Sequence, residues 1–421
     1  MGDGDRLQEI LANPNPDTPQ PGNNTIPPQY QPSAKVNPKT GEGEVSANAR
    51  EGEQPDWAAQ LEHLGLDPEC HEVFGDYIEV RSWDAAVGDG RVQRMRYVKA
   101  RVRLRDPSDD GWPDSRELAK WIRRAKPRRP ATSEGCADVL CLSDWQIGKA
   151  GEKGGGTPET IERVVDTIGR MQDRIRANRR AGRHASELHI AGMGDLTERC
   201  WGHYASQRFT VDLNEREQKR TARWLLTKVV RELAPEYSRV VASAVASNHG
   251  ENRGPDGKQV STPDDSLDLE LFENVAETFR ENPDAFGHVE FPVSPDPLVL
   301  AWNVQGVPVA HMHAHTVKKV SKPIYGLWDW WTGAGFGDQP TEIWPGLVVG
   351  DRPAGRARIL VTAHYHHHFQ LWQQGRVLLG CPAVDGGSRW LEDSSNIWSE
   401  PGTLVFSVER GLHRPVGVEL L

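Results

Sequence analysis

Short apolar segments alternate with longer amphipathic ones from about residue 136 to the end of the sequence. The apolar segments have the length of buried strands, whereas residues 157–175 repeat apolar side chains at helical spacing. Strands that alternate with helices along a chain indicate an α/β fold. The pattern predicts strands at 139–142, 188–191, 240–246, 298–304, 307–310 and 359–363, helices at 214–233 and 265–280, and a hairpin-like end with strands at 369–372, 376–380 and 403–408 and a last strand to 421.

Length, charge and cysteine content narrow the possible classes of protein. The 421 residues suffice for two or three domains. A formal net charge of -10 argues against a generally basic coating protein, so any nucleic-acid contact must come from a local patch. We expect a cytoplasmic location, because no segment has the length of an apolar membrane span and the N-terminus lacks a secretory signal. The 5 cysteines include no C-x-x-C pair, so a metal would need other ligands.

Residues 1–55 differ in composition from the rest of the chain. They contain many prolines among Asn, Gln and Gly, and Tyr30 is their only aromatic residue. Such a segment buries too little apolar area to offset the entropy of ordering it. We therefore predict a disordered, Pro-rich arm.

Residues 56–130 are predicted to form a small basic α+β domain. A strand at 98–105 alternates basic and apolar side chains, and a helix at 115–125 has one apolar stripe. Lys and Arg far outnumber Asp and Glu between residues 91 and 130, and such a patch can neutralise DNA phosphates. A solvated surface is the alternative interpretation. The predicted DNA-binding residues are Arg101, Arg103, Arg105, Arg123 and Arg124.

Polar residues that can bind metals follow five of the predicted strands. Open α/β folds place their sites at the carboxyl ends of strands, and carboxylate with imidazole suits a pair of Mn, Fe or Zn ions. An Asp that bridges two ions holds them about 3.5–4 Å apart. Each block taken singly can also be a cap, a turn or a solvated surface. The blocks are Asp144-Trp145-Gln146, Gly194-Asp195, Asn248-His249-Gly250-Glu251, His311-Met312-His313-Ala314-His315 and His364-Tyr365-His366.

The order of these blocks over residues 138–421 resembles the calcineurin-like metallophosphoesterases, whose pattern is D-x-H, G-D, G-N-H-[DE], H and G-H-x-H. The layout also resembles metallophosphoesterases of actinobacterial phages and, more distantly, nucleases of the Mre11 and SbcD type. The resemblance implies that residues 131–421 form a four-layer α/β sandwich with a dinuclear metal site. It implies that one ion is bound by Asp144, Gln146, Asp195 and His366, and the other by Asp195, Asn248, His311 and His364, with His249 as the general acid.

The sequence departs from the family pattern at several positions. Gln146 stands where the family usually has His, and its harder amide oxygen favours Mn, with Fe or Zn as alternatives. Ser247 and Ala363 stand where the family pattern has Gly, and both are small residues. Glu198 occupies the position where the Mre11 type commonly has His. In the fourth block we choose His311 over the other two histidines because it directly follows the predicted strand.

We predict a dinuclear metal-dependent phosphodiesterase that is an exonuclease-like DNA nuclease, active in phage DNA replication or recombination in the host cytoplasm. A nucleotide or protein phosphatase with the same metals is one alternative. A catalytically weak DNA-binding assembly protein, whose metal site has decayed, is another. DNA is the expected partner, and the sequence indicates no oligomeric state.

Overall fold

A computed structural model describes residues 26–37, 43–66, 68, 71–87, 91–104, 113–127, 135–151, 155–204, 206–293, 296–317, 323–333, 341–344, 347–349, 353–387 and 400–421. The chain divides into two units, Met1–Asp110 and Gly111–Leu421. Both contain helices and strands, so the predicted mixed α/β class is confirmed. Among the described residues, no helix combines the length and apolar composition that a bilayer span requires.

Among its described residues, the first unit contains one antiparallel sheet and one α-helix. Its central strands bury alternate side chains, and Val45 and Val102 pack with Leu61 of the helix. The helix begins after Asp56, whose side chain accepts a hydrogen bond from the Ala59 N–H at 3.1 Å. The elements are β1 (Ala34–Val36), β2 (Gly43–Arg50), α1 (Trp57–His63), β3 (His71–Val87) and β4 (Arg91–Leu104), in the sheet order β1-β2-β4-β3.

Part of the segment predicted as a disordered arm is ordered. Residues 1–25 and 38–42 lie outside the described residues, but β2 pairs along its whole length with β4. Val45, Ala47 and Ala49 are buried on β2. The prediction failed here because β2 contains no proline, because its apolar residues are mostly small, and because its hydrogen bonds come from a strand some fifty residues away.

The alternation predicted for the basic strand is confirmed where its side chains are described. Val98, Ala100 and Val102 are buried on one face of β4. Arg101 is exposed on the other face, where Lys99 forms an ion pair with Glu44. The Arg103 side chain and the whole of Arg105 lie outside the described residues.

The second unit contains two sheets and six helices among its described residues. The predicted strands and helices all occur, and their boundaries differ from the prediction by at most three residues, except that the helix expected from the periodicity at 157–175 continues to Arg180. Its elements are α2 (Ser115–Arg123), β5 (Cys136–Leu142), α3 (Thr157–Arg180), β6 (Glu187–Gly192), α4 (Glu215–Leu233), β7 (Arg239–Ala244), α5 (Leu267–Phe279), α6 (Pro283–Phe286), β8 (Val289–Glu290), β9 (Val299–Val304), β10 (Val307–Met312), α7 (Pro323–Gly333), β11 (Thr341–Trp344), β12 (Leu347–Val349), β13 (Ile359–Thr362), β14 (Phe369–Gln373), β15 (Arg376–Gly380), β16 (Leu404–Glu409) and β17 (Pro415–Leu420).

The strands form one six-stranded and one seven-stranded sheet. The first has the order β17-β16-β5-β6-β7-β8, and β5 to β8 run parallel. The second has the order β11-β12-β9-β10-β13-β15-β14, in which β10 and β13 run parallel. Parallel neighbours bring the loops at their carboxyl ends to the same edge of a sheet.

Apolar clusters cover the faces of both sheets. One cluster joins the first sheet to α3, α4 and α5, as Leu140, Met171 and Leu225 illustrate. A second cluster contains side chains of both sheets, including Val139 and Trp302. A third joins the second sheet to α7. Burying a large apolar side chain contributes about 1.5–3 kcal/mol relative to leaving it exposed, so these clusters hold the strand ends in place.

Helix α2 belongs to the second unit, whereas the sequence placed it in the basic domain at 56–130. The predicted capping box of Asp114 and Glu117 is present. However, Ile122 is part of the cluster of α3 to α5, and Asn282 Nδ2 donates to the Ile122 carbonyl at 3.0 Å. Arg123 pairs with Glu281 at 2.9 Å. The apolar stripe of this helix was evident from the sequence. The surface against which it packs depends on tertiary contacts, which the sequence does not show.

Candidate metal centre

Five loops of the second unit carry the candidate site. They follow β5, β6 and β7 in the first sheet and β10 and β13 in the second. Each begins within a few residues of its strand, and they contribute Asp144, Asp195, Asn248, His313 and His364, respectively. The five side chains therefore lie beyond the carboxyl ends of strands in the two sheets, and their role as metal ligands stays a prediction.

The backbone is unusual at five of the predicted ligands. Asp144, Gln146, Asp195, His364 and His366 have φ angles of 49°, 42°, 53°, 71° and 56°. Positive φ is uncommon for residues other than glycine and costs about 1–3 kcal/mol, and it persists only where the surrounding structure holds it. Such conformations cluster at functional sites.

Two overlapping groups of side chains can hold divalent metal ions. One consists of Asp195, His313 and His364, and the other of Asp144, Asp195 and His366. Within each group the possible ligand atoms lie within 4.8 Å of one another. Asp195 belongs to both groups, which is the arrangement that a bridging carboxylate requires.

Asp195 is held by three neighbours. Its Oδ1 accepts the His249 backbone N–H at 2.9 Å, its Oδ2 lies 3.3 Å from His313 Nε2, and its own N–H donates to Ser247 Oγ at 2.9 Å. Burial acts to raise the pKa of Asp195, but His313 and His249 outweigh it and hold the pKa well below its usual value. The carboxylate is therefore ionised and fixed in orientation.

Asp144 tests whether the site suits a cation. Both of its carboxylate oxygens are buried. His366 Nε2 lies 3.2 Å from Oδ1. His366 is therefore the neighbour of Oδ1, whereas Oδ2 has no hydrogen-bond partner among the described residues. A buried carboxylate oxygen without a donor is costly unless a cation compensates it. Together with the carboxylate and imidazole groups around it, this side chain fits a divalent ion.

The structure places His313, and not the predicted His311, beside Asp195. β10 continues to Met312, two residues beyond the predicted strand end, so that the residue directly after the strand is His313. His313 Nε2 lies 2.8 Å from Asn248 Oδ1, and its Nδ1 is 2.8 Å from the Met193 carbonyl. Burial acts to lower the pKa of His313, but the Asp195 carboxylate outweighs it and raises the pKa to about 9.

His311 lies inside the fold. It is buried in β10 and belongs to neither metal-competent group of the described residues. Burial lowers its pKa to about 3, so the ring is neutral. His315, the third histidine of this block, has Nε2 at 3.2 Å from Glu251 Oε1.

His249 is fixed on two sides. Its Nδ1 lies 2.8 Å from the Glu198 carbonyl, to which it can donate, and its ring stacks on His203 with a centroid separation of 4.4 Å and an angle of 7°. Burial, followed by the charge of His249, lowers the pKa of His203 to about 3. With Nδ1 engaged by the carbonyl, Nε2 is the nitrogen left for proton exchange.

Gln146 is engaged by a cation that the sequence analysis did not consider. Lys149 Nζ donates to Gln146 Oε1 at 3.0 Å and forms an ion pair with Asp385. Asp385 Oδ1 in turn lies 4.0 Å from His366 Nδ1, and the Asp385 N–H donates to the Asp144 carbonyl at 3.3 Å. Lys149 and Asp385 therefore support two of the predicted ligands.

The residues that support Asp195 were not evident from the sequence either. Ser247 Oγ donates to Asp268 Oδ2 and accepts the Gly250 N–H at 3.0 Å. Gly194 has a φ of 89°, and a Cβ there would lie 2.4 Å from Ser247 Cβ. Asp385 could have been noted, since it follows the strand at 376–380, but nothing in the sequence marks Asp268 in the first turn of α5.

Glu198 lies behind His249. Tyr204 Oη donates to its Oε1 at 2.5 Å, while its Oε2 is buried without a hydrogen-bond partner among the described residues. Burial raises the pKa of Glu198.

The predicted DNA-binding residues fall on both units. Arg101 is exposed on β4 in the first unit, and Arg123 and Arg124 lie at the end of α2 in the second. The side chain of Arg103 and the whole of Arg105 lie outside the described residues. DNA binding by this set stays a prediction.

Comparisons with known proteins give structural similarities only. No family model matches the chain, and no curated protein matches it. Vps29 from Entamoeba histolytica, solved with zinc, is 9% identical with a TM-score of 0.28, over 68% of this chain and 98% of that one. An archaeal phosphodiesterase is 8% identical with a TM-score of 0.27, over 68% and 99%. A predicted phosphoesterase from Streptococcus pneumoniae is 9% identical with a TM-score of 0.22, over 44% and 75%.

At these TM-scores the similarities carry no argument about this chain, and the metal centre described above rests on its own geometry. The resemblance to phage-encoded and Mre11-type enzymes stays a prediction.

Proposed function

We propose that the chain is a dinuclear metal-dependent phosphodiesterase that acts on DNA. The observation that carries this proposal is the sharing of Asp195 between two groups of metal-competent side chains. In the same proposal, the two sheets and the helices on their outer faces form the four-layer sandwich of the calcineurin-like family.

The residues suited to each ion follow from the contacts. Asp144, Asp195 and His366 would hold the first. Asp195, His313 and His364 would hold the second, together with Asn248, whose amide oxygen lies beside His313 Nε2. Ions bound there would supply Lewis acidity to the phosphoryl group and lower the barrier to attack by water. Manganese is the expected metal, with iron or zinc as alternatives.

His249 is proposed to protonate the leaving oxygen. The Glu198 carbonyl 2.8 Å from Nδ1 fixes the ring orientation, and the stacked His203 limits its tilt. A general acid must keep one nitrogen available toward the substrate, and Nε2 fulfils this condition. Because burial keeps His203 neutral, it adds no positive charge beside His249.

The DNA part of the proposal is supported by charge. Cations outnumber acidic residues between residues 91 and 130, and Arg101 is exposed on the basic face of β4. Phosphate neutralisation by such a face would make affinity fall steeply with salt. The first unit ends at Asp110, so deleting residues 1–110 removes β4 and retains every residue of the candidate metal centre.

The test measures bound metal, hydrolysis and DNA affinity together. Asp195→Asn should lose bound metal and hydrolysis of bis-p-nitrophenyl phosphate in parallel, while Asp166→Asn, an exposed Asp on α3, should retain both. Deletion of residues 1–110 should spare this hydrolysis and flatten the salt dependence of DNA binding. Faster hydrolysis of p-nitrophenyl phosphate than of the diester would favour the phosphatase alternative. Two ions and normal turnover in Asp195→Asn would refute the dinuclear site.

A further inference from the structure

Lys149 lies beside the side chains proposed to hold the first ion, although no step of the proposed chemistry uses it. Its Nζ donates to Gln146 Oε1 at 3.0 Å and forms an ion pair with Asp385. The side chains of Lys149 and Asp385 are only 17% and 2% exposed. Solvent screens a charge at this depth much less than a charge on the surface, so Lys149 acts strongly on any ion that binds next to it.

The backbone fixes Lys149 in this position. Its N–H donates to the Gln146 carbonyl at 3.0 Å, and an antiparallel β-bridge joins it to Val211. The N–H of the preceding Gly148 donates to Thr157 Oγ1 at 2.8 Å. Lys149 therefore enters the site from a loop that is tied to its surroundings on both sides.

Asp385 is fixed against the same group of side chains. Its N–H donates to the Asp144 carbonyl at 3.3 Å, and its Oδ1 accepts the Gly387 N–H at 3.1 Å. Oδ1 also lies 4.0 Å from His366 Nδ1. The carboxylate that pairs with Lys149 is therefore held next to Asp144 and His366, the two residues that belong to the first ion alone.

The two proposed ion sites differ in their candidate ligands. Those of the second ion are Asp195, His313, His364 and Asn248. Those of the first ion are Asp144, Asp195 and His366. The fourth ligand expected for the first ion was Gln146, but the oxygen that it would offer accepts a hydrogen bond from Lys149.

The ammonium group of Lys149 opposes a second cation at this place. A lysine ordinarily keeps its positive charge up to about pH 10. While it does so, it has three donors and no lone pair, so it cannot become a ligand. A divalent ion binds more weakly where fewer ligands face it and where a positive charge lies nearby.

We propose that Lys149 weakens the site of the first ion, so that the second ion binds at lower metal concentration and turnover begins only when the first ion binds. Its charge repels the incoming ion, and its hydrogen bond withholds the Gln146 oxygen. The free metal concentration then sets the fraction of molecules that are active. This inference rests on the proposed function, because it assigns the regulation of the same site.

The experiment counts bound manganese directly. Free Mn²⁺ is measured by its EPR signal while the metal is titrated into the full-length protein, which gives the number of bound ions and their affinities. The unsubstituted protein should bind one ion tightly and one more weakly. Asp144→Asn should remove the weaker ion and keep the tight one. Lys149→Met should tighten the weaker ion about 10- to 100-fold and leave the tight ion unchanged.

Further variants separate charge from shape. Lys149→Arg keeps the positive charge, so the weaker ion should stay weak. Lys149→Met with Asp385→Asn removes both charges of the ion pair and restores the original net charge, so most of the gain should be reversed. Lys149→Gln is a second neutral variant that retains a donor for Asp385, and it should tighten the weaker ion even if Lys149→Met fails to fold.

Lys258→Met is the matched control for the loss of a lysine. Lys258 Nζ lies 3.7 Å from Asp256 Oδ2, and its side chain is 83% exposed. Both manganese affinities of this control should equal those of the unsubstituted protein.

Unchanged affinity of the weaker ion in both neutral variants would overturn the inference, as would equal tightening of both ions. Hydrolysis of bis-p-nitrophenyl phosphate, followed in the same titrations, separates this failure from that of the proposed function. If hydrolysis occurs but needs the same manganese concentration in the neutral variants and the unsubstituted protein, the inference about Lys149 fails and the proposed function stands. If manganese binding follows the prediction but no diester is hydrolysed, the proposed function fails and the effect of Lys149 on metal binding stands.

Discussion

Ser247→Ala removes a single hydroxyl that joins three parts of the metal centre. Its oxygen accepts the backbone N–H groups of Asp195 and Gly250 at 2.9 and 3.0 Å, and it donates to Asp268 Oδ2. Each buried donor left without a partner costs about 1–3 kcal/mol. The two orphaned N–H groups should therefore lower the free energy of unfolding by roughly 2–6 kcal/mol. Asp268 Oδ1 still accepts a hydrogen bond from the Leu196 N–H at 3.2 Å, so the carboxyl group retains one partner.

The assay is urea unfolding in the presence of EDTA, followed by tryptophan fluorescence, so that bound ions do not contribute to the free energy. Ser238→Ala is the control, because that exposed hydroxyl donates a single hydrogen bond to the Ser186 carbonyl at 2.8 Å. The control should lose less than about 1 kcal/mol. A Ser247→Ala variant as stable as the control would refute the assignment of this hydroxyl as the anchor of Asp195.

Three further predictions address acid catalysis, metal preference and acid stability. His249→Ala should keep its metal content and lose about 10²- to 10⁴-fold in turnover, whereas loss of metal would contradict its role as an acid. Gln146→His should shift metal preference toward zinc by adding an imidazole and removing the hydrogen bond from Lys149, and an unchanged metal profile would exclude residue 146 from the ligand set. Burial opposes ionisation of Glu187, but His189 and Arg239 outweigh it and depress its pKa from 4.5 to about 2. This stabilisation is present above about pH 4.5 and is lost as the pH falls toward 2, so Glu187→Gln should flatten the loss of stability in that range.

The positions of Asp144, Asp195 and His364 could be predicted because each lies two or three residues after a strand that its own apolar residues define. A parallel sheet then brings such positions to one edge, so that short local patterns suffice. To choose between His311 and His313, the end of β10 would have to be predicted to within two residues. That end depends on pairing with β9 and β13, which local sequence does not reveal.

Contacts between distant parts of the chain could not be predicted. Lys149 and Asp385 are separated by 236 residues, and neither has a local pattern that indicates the other. Helix α2 was assigned to the wrong domain for the same reason. Its apolar stripe was evident from the sequence, but the residues of α4 and α5 that it packs against were not. Strand β2 was not predicted because it depends on pairing with β4 rather than on the apolar area of its own small side chains.

Anomalous X-ray diffraction from crystals grown with manganese tests the central claim most directly. The dinuclear account predicts two anomalous peaks about 3.5–4 Å apart on either side of the Asp195 carboxylate. One peak should lie next to Asp144 and His366, and the other next to His313 and His364. A single peak, or two peaks that do not share Asp195, would contradict it.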